Sequence, residues 1–326
     1  MTELLAPALA LLLGIVILVI SADKFVEGAS VMAKRLGLPP LLIGMLIIGF
    51  GSSMPEMVIS ALSSSGGNPG LALGNAFGSN ISNIALILGV TAVLTPIAVA
   101  SSVIKRELPF LSVLTLMLAG LLYVDGTLSR MDGILLMILF AGIMIWSIYA
   151  GLKTETDALA EEVEQQLATP VSLRTSIIYT VLGLTFLVIS SRILVWGGVE
   201  IATSLGVSDL VIGLTIVAIG TSLPELAASI SAVRKGEHDL ALGNVIGSNM
   251  FNTTIVIGIT GIIAPTKLDP AILTRDIPVM IILTAALFIM AYNYRGNENG
   301  VINRFEGGLL LFGYVAYNIG LIYSVV

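Results

Sequence analysis

The sequence predicts an all-α integral membrane protein of ten transmembrane helices, arranged as two inverted-topology five-helix repeats. Three observations support this prediction. The chain of 326 residues is 56% hydrophobic and only 11% charged, with a mean hydropathy of +1.02, a composition far from that of soluble domains. Ten apolar stretches are long enough to cross a bilayer core of about 30 Å. The two halves of the chain also repeat each other's sequence.

The ten apolar stretches are separated into two groups of five by one strongly polar linker. They lie approximately at 4–32, 39–63, 71–96, 107–124, 132–152, 174–203, 209–233, 240–265, 277–293 and 306–325. No Lys or Arg precedes the first stretch, and Glu3 stands where a signal peptide would be basic, so an uncleaved helix is favoured over a cleaved signal. The predicted units are a first repeat at 1–152, an acidic linker at 153–172 and a second repeat at 173–326.

The internal repeat is the most informative feature of the sequence. Leu71 to Asn75 reads Leu-Ala-Leu-Gly-Asn, and the same five residues recur at Leu240 to Asn244, 169 positions later. The two repeated motifs occupy 51–83 and 220–252. Because five is an odd number, equivalent helices of the two repeats must cross the membrane in opposite directions, as in transporters built from inverted repeats.

The distribution of basic residues predicts the orientation of the chain. Successive loops lie on alternate sides of the membrane. The loops on one side, called the first side, carry many Lys and Arg residues, whereas the loops on the second side carry only Arg130, Lys267 and Arg275. The basic residues of the first side are Lys34, Arg35, Lys105, Arg106, Lys153, Arg174, Arg234, Lys235, Arg295 and Arg304. The first side is therefore predicted to be cytoplasmic. Both termini then lie outside, the linker at 153–172 lies in the cytoplasm, and the protein is a multi-pass component of the cell (inner) membrane.

Two copies of a proline-and-acid motif interrupt apolar stretches, at Gly51–Glu56 and Gly220–Glu225. A carboxylate inside a membrane helix costs about 3 kcal/mol on insertion scales, so a repeated pair indicates function. Each proline lacks an N–H, so it leaves the carbonyl oxygen four residues earlier unpaired and predicts a kink. Free carbonyl oxygens are unfavourable in lipid unless they line a polar cavity. The motifs therefore predict a hydrated or ion-filled centre.

Hydroxyl, amide and carboxylate groups share helical faces in and after these motifs, because they are spaced four residues apart. These oxygen donors suit Ca²⁺ or Na⁺, whereas zinc and copper sites usually need Cys or His. The chain has no Cys, and its only histidine, His238, lies in a predicted cytoplasmic turn where we expect it to be solvated. The spaced pairs are Ser52 with Glu56, Thr221 with Glu225, Ser79 with Asn83, and Ser248 with Asn252.

The two copies of Gly-Ser/Thr-Ser-x-Pro-Glu, each followed by Gly-Asn-x-x-Gly-Ser-Asn-x-x-Asn, resemble the α-repeats of the calcium/cation antiporter superfamily, which includes the sodium/calcium exchangers. The resemblance covers nearly the whole chain. It implies ten helices, alternating access, exchange of Ca²⁺ against Na⁺ or H⁺, no cofactor and no enzymatic activity. The expected partners are the lipid bilayer and the transported cations, without nucleic acid, and we expect a monomer.

The resemblance also implies roles for individual residues. The calcium ligands would be Glu56 and Glu225, and the central amides would be Asn83 and Asn252. The sodium sites would involve Ser52, Ser53, Ser79, Thr221, Ser222 and Ser248, together with the backbone oxygens of Gly49 and Ala218.

Two positions depart from the family pattern. Ser52 replaces the usual Thr and keeps its hydroxyl, whereas Asn252 stands where the well-studied sodium/calcium exchangers have an Asp. Two glutamates balance one Ca²⁺, but three Na⁺ would leave one excess positive charge in a site of low dielectric constant. Ca²⁺/Na⁺ antiport is therefore the predicted function, with Ca²⁺/H⁺ antiport through the same glutamates as the alternative. A cation channel is a remoter alternative, and an intramembrane hydrolase is disfavoured because no His or Lys lies near the buried serines in the pattern.

Two unusual charges lie within predicted spans, Asp23 in the first and Arg192 at the equivalent position of the sixth. Inversion would place them near opposite surfaces of the membrane, so we expect each to extend to its nearest interface rather than to pair with the other.

Overall fold

The computed structural model describes residues 4–101, 103–154, 172–206, 218–292 and 300–325. Most of the predicted acidic linker, residues 155–171, lies outside the described residues. So do residues 209–217, the first part of the seventh apolar stretch, and Arg295.

Helices make up nearly all of the described chain. In the first half they are α1 (Leu5–Leu36), α2 (Pro40–Ser52), α3 (Met54–Ser65), α4 (Pro69–Leu94), α5 (Val103–Asp125) and α6 (Arg130–Thr154). In the second half they are α7 (Leu173–Ser204), α8 (Ala218–Thr221), α9 (Leu223–Arg234), α10 (His238–Ile263), α11 (Ile272–Ala291) and α12 (Arg304–Val325). Among the described residues, α1, α4, α5, α6, α7, α10 and α11 are each long and apolar enough to cross a membrane, and α2 with α3 forms an eighth, bent candidate.

Two short antiparallel ribbons depart from the all-α prediction. Strand β1 (Ile97–Val99) pairs with β4 (Gly300–Ile302), and β2 (Thr127–Leu128) pairs with β3 (Thr266–Lys267). Each ribbon joins a segment of the first half to a segment of the second. The strands are two or three residues long, so they carry too little alternating pattern for a sequence to predict them.

The helices break at both proline-and-acid motifs. Helices α2 and α3 meet at Ser53 with a bend of 43°, which confirms the predicted kink at the first motif. Helices α8 and α9 meet in the same way at Ser222. Pro55 and Pro224 occupy the first turn of α3 and α9. A proline is tolerated there because the first N–H groups of a helix have no partner within the helix.

Elements of the two halves begin at equivalent positions. Helices α3 and α9 begin 169 residues apart, and so do α4 and α10, and α5 and α11. Wider π-helical turns also recur at this offset, beginning at Asn83 within α4 and at Asn252 within α10. Such turns shift the register of a helix and often occur at functional sites. The repeat in the sequence is therefore accompanied by a repeat of local backbone structure.

Helices α4 and α10 form the centre of the molecule. Their apolar windows are 72% and 78% buried, against 28% for α1 and 33% for α7. Helices α1 and α7 pack together at glycines, where Gly14 approaches Leu194 and Gly28 approaches Thr180. These contacts run in opposite order along the two helices, so α1 and α7 are antiparallel. The outer helices leave the α4–α10 pair enclosed by protein.

Candidate cation-binding site

The two buried glutamates begin the two helices that follow the breaks. Glu56 lies in the first turn of α3 with 1% of its surface exposed, and Glu225 lies in the first turn of α9 with 2% exposed. The partial positive charge at a helix N-terminus favours a carboxylate at both places. The carboxyl groups of Glu56 and Glu225 are also close enough to interact electrostatically with each other. Two neighbouring negative charges repel each other, so a cation bound between them is favoured.

A serine hydroxyl contacts each of these carboxyl groups. Ser79 of α4 hydrogen-bonds Glu56, which belongs to the same half of the chain. Ser52 of α2 hydrogen-bonds Glu225, which belongs to the other half. The site therefore joins the two sequence motifs, and it is completed only when both halves are folded together.

Ser52 lies among oxygen atoms that can only accept hydrogen bonds. Its Oγ is 2.8 Å from the carbonyl oxygen of Ile48, 3.4 Å from that of Gly49 and 3.1 Å from Oδ1 of Asn244. The hydroxyl of Ser248 also points to the Gly49 carbonyl, at 3.4 Å. A hydroxyl has one hydrogen to donate, so this group of oxygens exceeds the donors that Ser52 and Ser248 supply. Such an excess of acceptors suits a cation.

Glycines allow α2 and α10 to approach closely enough to form this group. A Cβ atom added at Gly243 would lie 2.4 Å from the Leu41 carbonyl oxygen, and one added at Gly247 would lie 2.7 Å from Cα of Met45. On the opposing helix, a Cβ atom at Gly49 would lie 3.0 Å from the backbone nitrogen of Ser248. The backbones therefore touch directly, which places the Gly49 carbonyl beside the hydroxyl of Ser248.

The amide side chains link α4 to α10 across the centre. Asn83 donates from Nδ2 to Oδ1 of Asn249 at 3.3 Å, and Asn80 donates to Oγ1 of Thr253 at 3.1 Å. Both predicted central amides, Asn83 and Asn252, are at least 98% buried. Each begins a π-helical turn, so each lies where the helical register changes.

Several predicted ligand atoms are buried and unpaired. Among the residues that the structure describes, the buried atoms without a hydrogen-bond partner include Ser53 Oγ, Glu56 Oε2, Glu225 Oε2 and Asn252 Oδ1. Buried polar atoms are normally paired with protein groups, water or ions. Four unpaired acceptors from predicted ligands are what a transported cation would use. No group of three or more His, Cys, Asp or Glu side chains within the described ranges could hold a metal, so a cation here relies on two carboxylates and neutral oxygens.

The remaining predicted residues lie at the second break. Thr221 ends α8, Ser222 at the break is 2% exposed, and Ala218 begins α8. The contacts of these residues gather Gly49, Ser52, Ser248 and Glu225 at one place and Ser79 with Glu56 at another.

Asn75 and Asn244, which are not among the predicted site residues, also contact this region. Nδ2 of Asn75 is 3.5 Å from the carbonyl oxygen of Glu56, and Nδ2 of Asn244 is 3.0 Å from that of Glu225. A signal for them is present, because Asn75 lies four residues before Ser79 and Asn244 four before Ser248, on the same helical face.

Three polar residues outside the centre were also singled out in the sequence. His238 is the first residue of α10 rather than part of a turn, because α10 begins earlier than the apolar pattern indicates; the residue is half-buried, with its Nδ1 atom inside the protein. Asp23 is exposed; its carboxylate accepts a 2.5 Å hydrogen bond from Ser231, and its backbone carbonyl accepts one from Lys235. Both partners lie on or beside α9. Arg192 is exposed, and it is close enough to Glu56 to interact with it electrostatically.

Comparison with known proteins identifies the family. The family model described as sodium/calcium exchanger protein matches residues 6–149 and 175–323. The chain belongs to the sodium/calcium exchanger family. The superfamily resemblance is thereby confirmed, and the protein is a multi-pass transmembrane antiporter that transports ions, in a family of transporters rather than of enzymes.

Relatives match this exchanger over nearly its full length. CaxA of Alkalimonas amylolytica is 46% identical over 315 residues, covering 96% of this chain and 98% of its own. The sodium/calcium exchanger MaX1 of Methanosarcina acetivorans is 31% identical, covering 97% and 98%. A structure of the sodium-calcium exchanger NCX_Mj, soaked with Na⁺ and Ca²⁺, superposes with a TM-score of 0.82 at 30% identity and covers 99% of both chains.

Proposed function

We propose that this exchanger moves Ca²⁺ in one direction and Na⁺ in the other, by alternating access to a single site between its two halves. The observation that carries the proposal is the group of buried, unpaired oxygen acceptors contributed by both proline-and-acid motifs. Carboxylate, hydroxyl, amide and carbonyl oxygens are the ligands that Ca²⁺ and Na⁺ prefer. The sodium/calcium exchangers MaX1 and NCX_Mj support the same ion pair.

The proposed ligands divide by charge. Ca²⁺ binds between Glu56 and Glu225, whose two negative charges neutralise it. Asn83 and Asn252 supply neutral oxygens at the centre. Na⁺ binds at Ser52, Ser53, Ser79, Thr221, Ser222 and Ser248 and at the backbone oxygens of Gly49 and Ala218. The contacts of Ser52 and Ser248 around the Gly49 carbonyl support one of these sodium positions.

Competition for the glutamates explains why the two ions exchange. The hydroxyls of the proposed sodium sites contact the same carboxyl groups that bind Ca²⁺, Ser52 at Glu225 and Ser79 at Glu56. Bound Na⁺ therefore neutralises charge that Ca²⁺ needs, and either ion weakens binding of the other. Two buried carboxylates without a bound cation are energetically unfavourable. The change that exposes the site to the opposite side of the membrane is therefore favoured only when cations occupy the site.

The proposed architecture has ten membrane helices, with repeats at 1–152 and 173–326 that cross the membrane in opposite directions. The common offset of the elements and the antiparallel α1–α7 pair support it. From the distribution of Lys and Arg we propose that both termini face outward and that the linker at 153–172 is cytoplasmic. The proposed unit is a monomer in the cell membrane.

Proton coupling is the second candidate. Asn252 places a neutral amide at the centre, so the site has two acids for its cations. Exchange of one Ca²⁺ for two H⁺ would keep the pair neutral, with each glutamate carrying one proton.

Transport into reconstituted vesicles tests the proposal. Uptake of radioactive Ca²⁺ is measured under an outward Na⁺ gradient, and separately under an outward H⁺ gradient at equal sodium on both sides. We expect stimulation by the Na⁺ gradient and no calcium flux without a counter-ion. Stimulation by the H⁺ gradient alone would establish the second candidate, and flux without any counter-ion would indicate a channel.

Substitution of the glutamates tests the site. Glu56→Gln and Glu225→Gln each keep the side-chain shape and remove one of the two charges, so both variants should lose calcium transport. Glu200→Gln in α7 is the matched control, since Glu200 is exposed and should leave transport unchanged. Wild-type rates in both glutamate variants would remove these residues from the site.

A further inference from the structure

Asn244 occupies a position where three helices meet. It lies in α10 between Gly243 and Gly247, the glycines that contact the backbone of α2, and its exposed fraction is 0%. Its side chain reaches α2 on one side and α9 on the other. A polar side chain so deeply buried must be fully paired, or its loss of hydration is not compensated.

Every polar group of the Asn244 side chain is paired. Nδ2 donates to the carbonyl oxygen of Glu225 at 3.0 Å and to Oγ of Ser229 at 2.9 Å, while Oδ1 is 3.1 Å from Oγ of Ser52. The amide has two N–H groups, and both are used. Asn252 differs, because its Oδ1 has no partner within the described part of the chain. Asn252 can therefore offer an oxygen to an ion, whereas Asn244 is placed to hold its neighbours.

We infer that Asn244 is a positioning residue that couples the sodium and calcium parts of the site. The inference rests on the proposed function, in which Ser52 binds Na⁺ and Glu225 binds Ca²⁺. Asn244 joins Ser52 of the first half to the backbone of Glu225 in the second half through one side chain. Oδ1 of Asn244 is one of the acceptors that share the single hydrogen of Ser52 with the carbonyl oxygens of Ile48 and Gly49, so it holds a neutral oxygen beside that hydroxyl. By binding the Glu225 carbonyl, it fixes the first turn of α9, from which the carboxylate extends.

The equivalent residue of the first half is held less firmly. Nδ2 of Asn75 is 3.5 Å from the carbonyl of Glu56, half an ångström longer than the contact of Asn244, and Asn75 is only partly buried. Ser60, which corresponds to Ser229, donates to the carbonyl of Ala72 at 3.5 Å. The structure therefore assigns the stronger coupling to Asn244, and its substitution should have the larger effect.

A double-mutant cycle tests the inference. The full chain is reconstituted, and the half-saturating Na⁺ concentration for calcium efflux is measured for wild type, Asn244→Ala, Ser52→Ala and the double variant. Asn244→Ala should raise this concentration roughly tenfold, the effect of losing about one buried hydrogen bond. On the Ser52→Ala background the same change should have an effect of no more than about twofold, because residues that act through one contact are not additive.

Controls separate positioning from general destabilisation. Asn318→Ala removes an amide whose hydrogen bond, to the carbonyl of Tyr314, lies within α12, and it should leave the half-saturating Na⁺ concentration unchanged. Asn75→Ala should act additively with Ser52→Ala. Ser229→Ala supports the test if Asn244→Ala does not fold: it removes one acceptor of Asn244 and should raise the Na⁺ requirement about twofold to threefold, again only when Ser52 is present.

The outcomes distinguish the inference from the proposed function. Equal effects of Asn244→Ala with and without Ser52, or an unchanged Na⁺ requirement, would overturn the coupling role while wild-type transport stays intact. Absence of sodium-driven calcium transport in the wild type would instead overturn the proposed function.

Discussion

A single methyl group added at Gly243 tests whether the contact between α10 and α2 sets the geometry of the site. In Gly243→Ala the new Cβ atom would lie 2.4 Å from the Leu41 carbonyl oxygen and 2.9 Å from Cα of Gly44. Ordinary contacts of a Cβ atom begin at 3.4 Å. Because the neighbouring atoms belong to backbone and cannot rotate away, the two helices must separate locally by roughly 1 Å.

This separation acts directly on the proposed ligands. The pairs Ser248–Gly49 and Asn244–Ser52 both span α10 and α2, at 3.4 and 3.1 Å. Oxygen ligands of Ca²⁺ lie at about 2.3–2.6 Å from the ion, so a displacement of roughly 1 Å removes a ligand from the coordination shell. Overpacking of this kind costs roughly 1–3 kcal/mol of stability, and a misplacement of about 1 Å can reduce function by up to about a hundredfold.

The assay compares folding with ion binding. Calcium binding to the purified protein is measured by titration calorimetry, transport by vesicle uptake, and stability by the thermal unfolding midpoint. We expect Gly243→Ala to weaken calcium binding at least about tenfold and to lower the midpoint. Gly120→Ala and Gly142→Ala are matched controls, since an added Cβ atom meets nothing within 4 Å at either position. Wild-type calcium affinity in Gly243→Ala would refute the argument that this helix contact sets the ligand distances.

Two further variants test the charge of the site and the attachment of α1. Asn252→Asp adds a third acid, so binding of three Na⁺ becomes neutral, and the Hill coefficient for sodium should rise from about two to about three; an unchanged coefficient would contradict the charge argument. Asp23→Ala removes the acceptor of the Ser231 hydroxyl, so the cleft between α1 and α9 should open more often. The chain has no native cysteine, so Ala227→Cys in that cleft can report opening through its rate of reaction with a membrane-impermeant maleimide. That rate should rise several-fold in Asp23→Ala but not in the exposed control Asp125→Ala, and equal rates would exclude the attachment.

The sequence predicted the membrane class, the kink and the family because each of these depends on local or repeated patterns. The thickness of a bilayer sets the length of an apolar stretch that can cross it, so spans such as α1 and α11 can be recognised directly in the sequence. A proline within a membrane span interrupts the helix because it lacks an N–H, so Pro55 predicts the kink from the sequence alone. The ribbons formed by β1–β4 and β2–β3 could not be predicted, since they depend on pairing between distant segments of only two or three residues.

The types of candidate ligand were predictable, but their pairing was not. The spacing of Ser52 and Glu56 places both on one face of a continuous helix, yet the break at Ser53 separates them and Ser52 instead contacts Glu225 in the other half. The spacing of Asn244 and Ser248 places Asn244 on the face of α10 that carries the candidate ligands, but its contacts with Ser52 and Glu225 on two other helices could not be predicted from that spacing. The partners of Asp23 could not be predicted, because they lie on and beside α9, more than 200 residues away.

The two halves share a backbone pattern, but their contacts near the membrane surface cannot be equivalent. In the described structure, Glu237 at the start of α10 accepts hydrogen bonds from Ser30 and from Lys34 of α1, the latter at 3.4 Å. The repeat replaces Ser30 by Val199 and Glu237 by Asn68. Valine has no hydrogen to donate and asparagine has no charge, so the corresponding contact cannot form on the other side. In the proposed inverted architecture these equivalent positions lie at opposite faces of the membrane, so the two faces are held by different contacts.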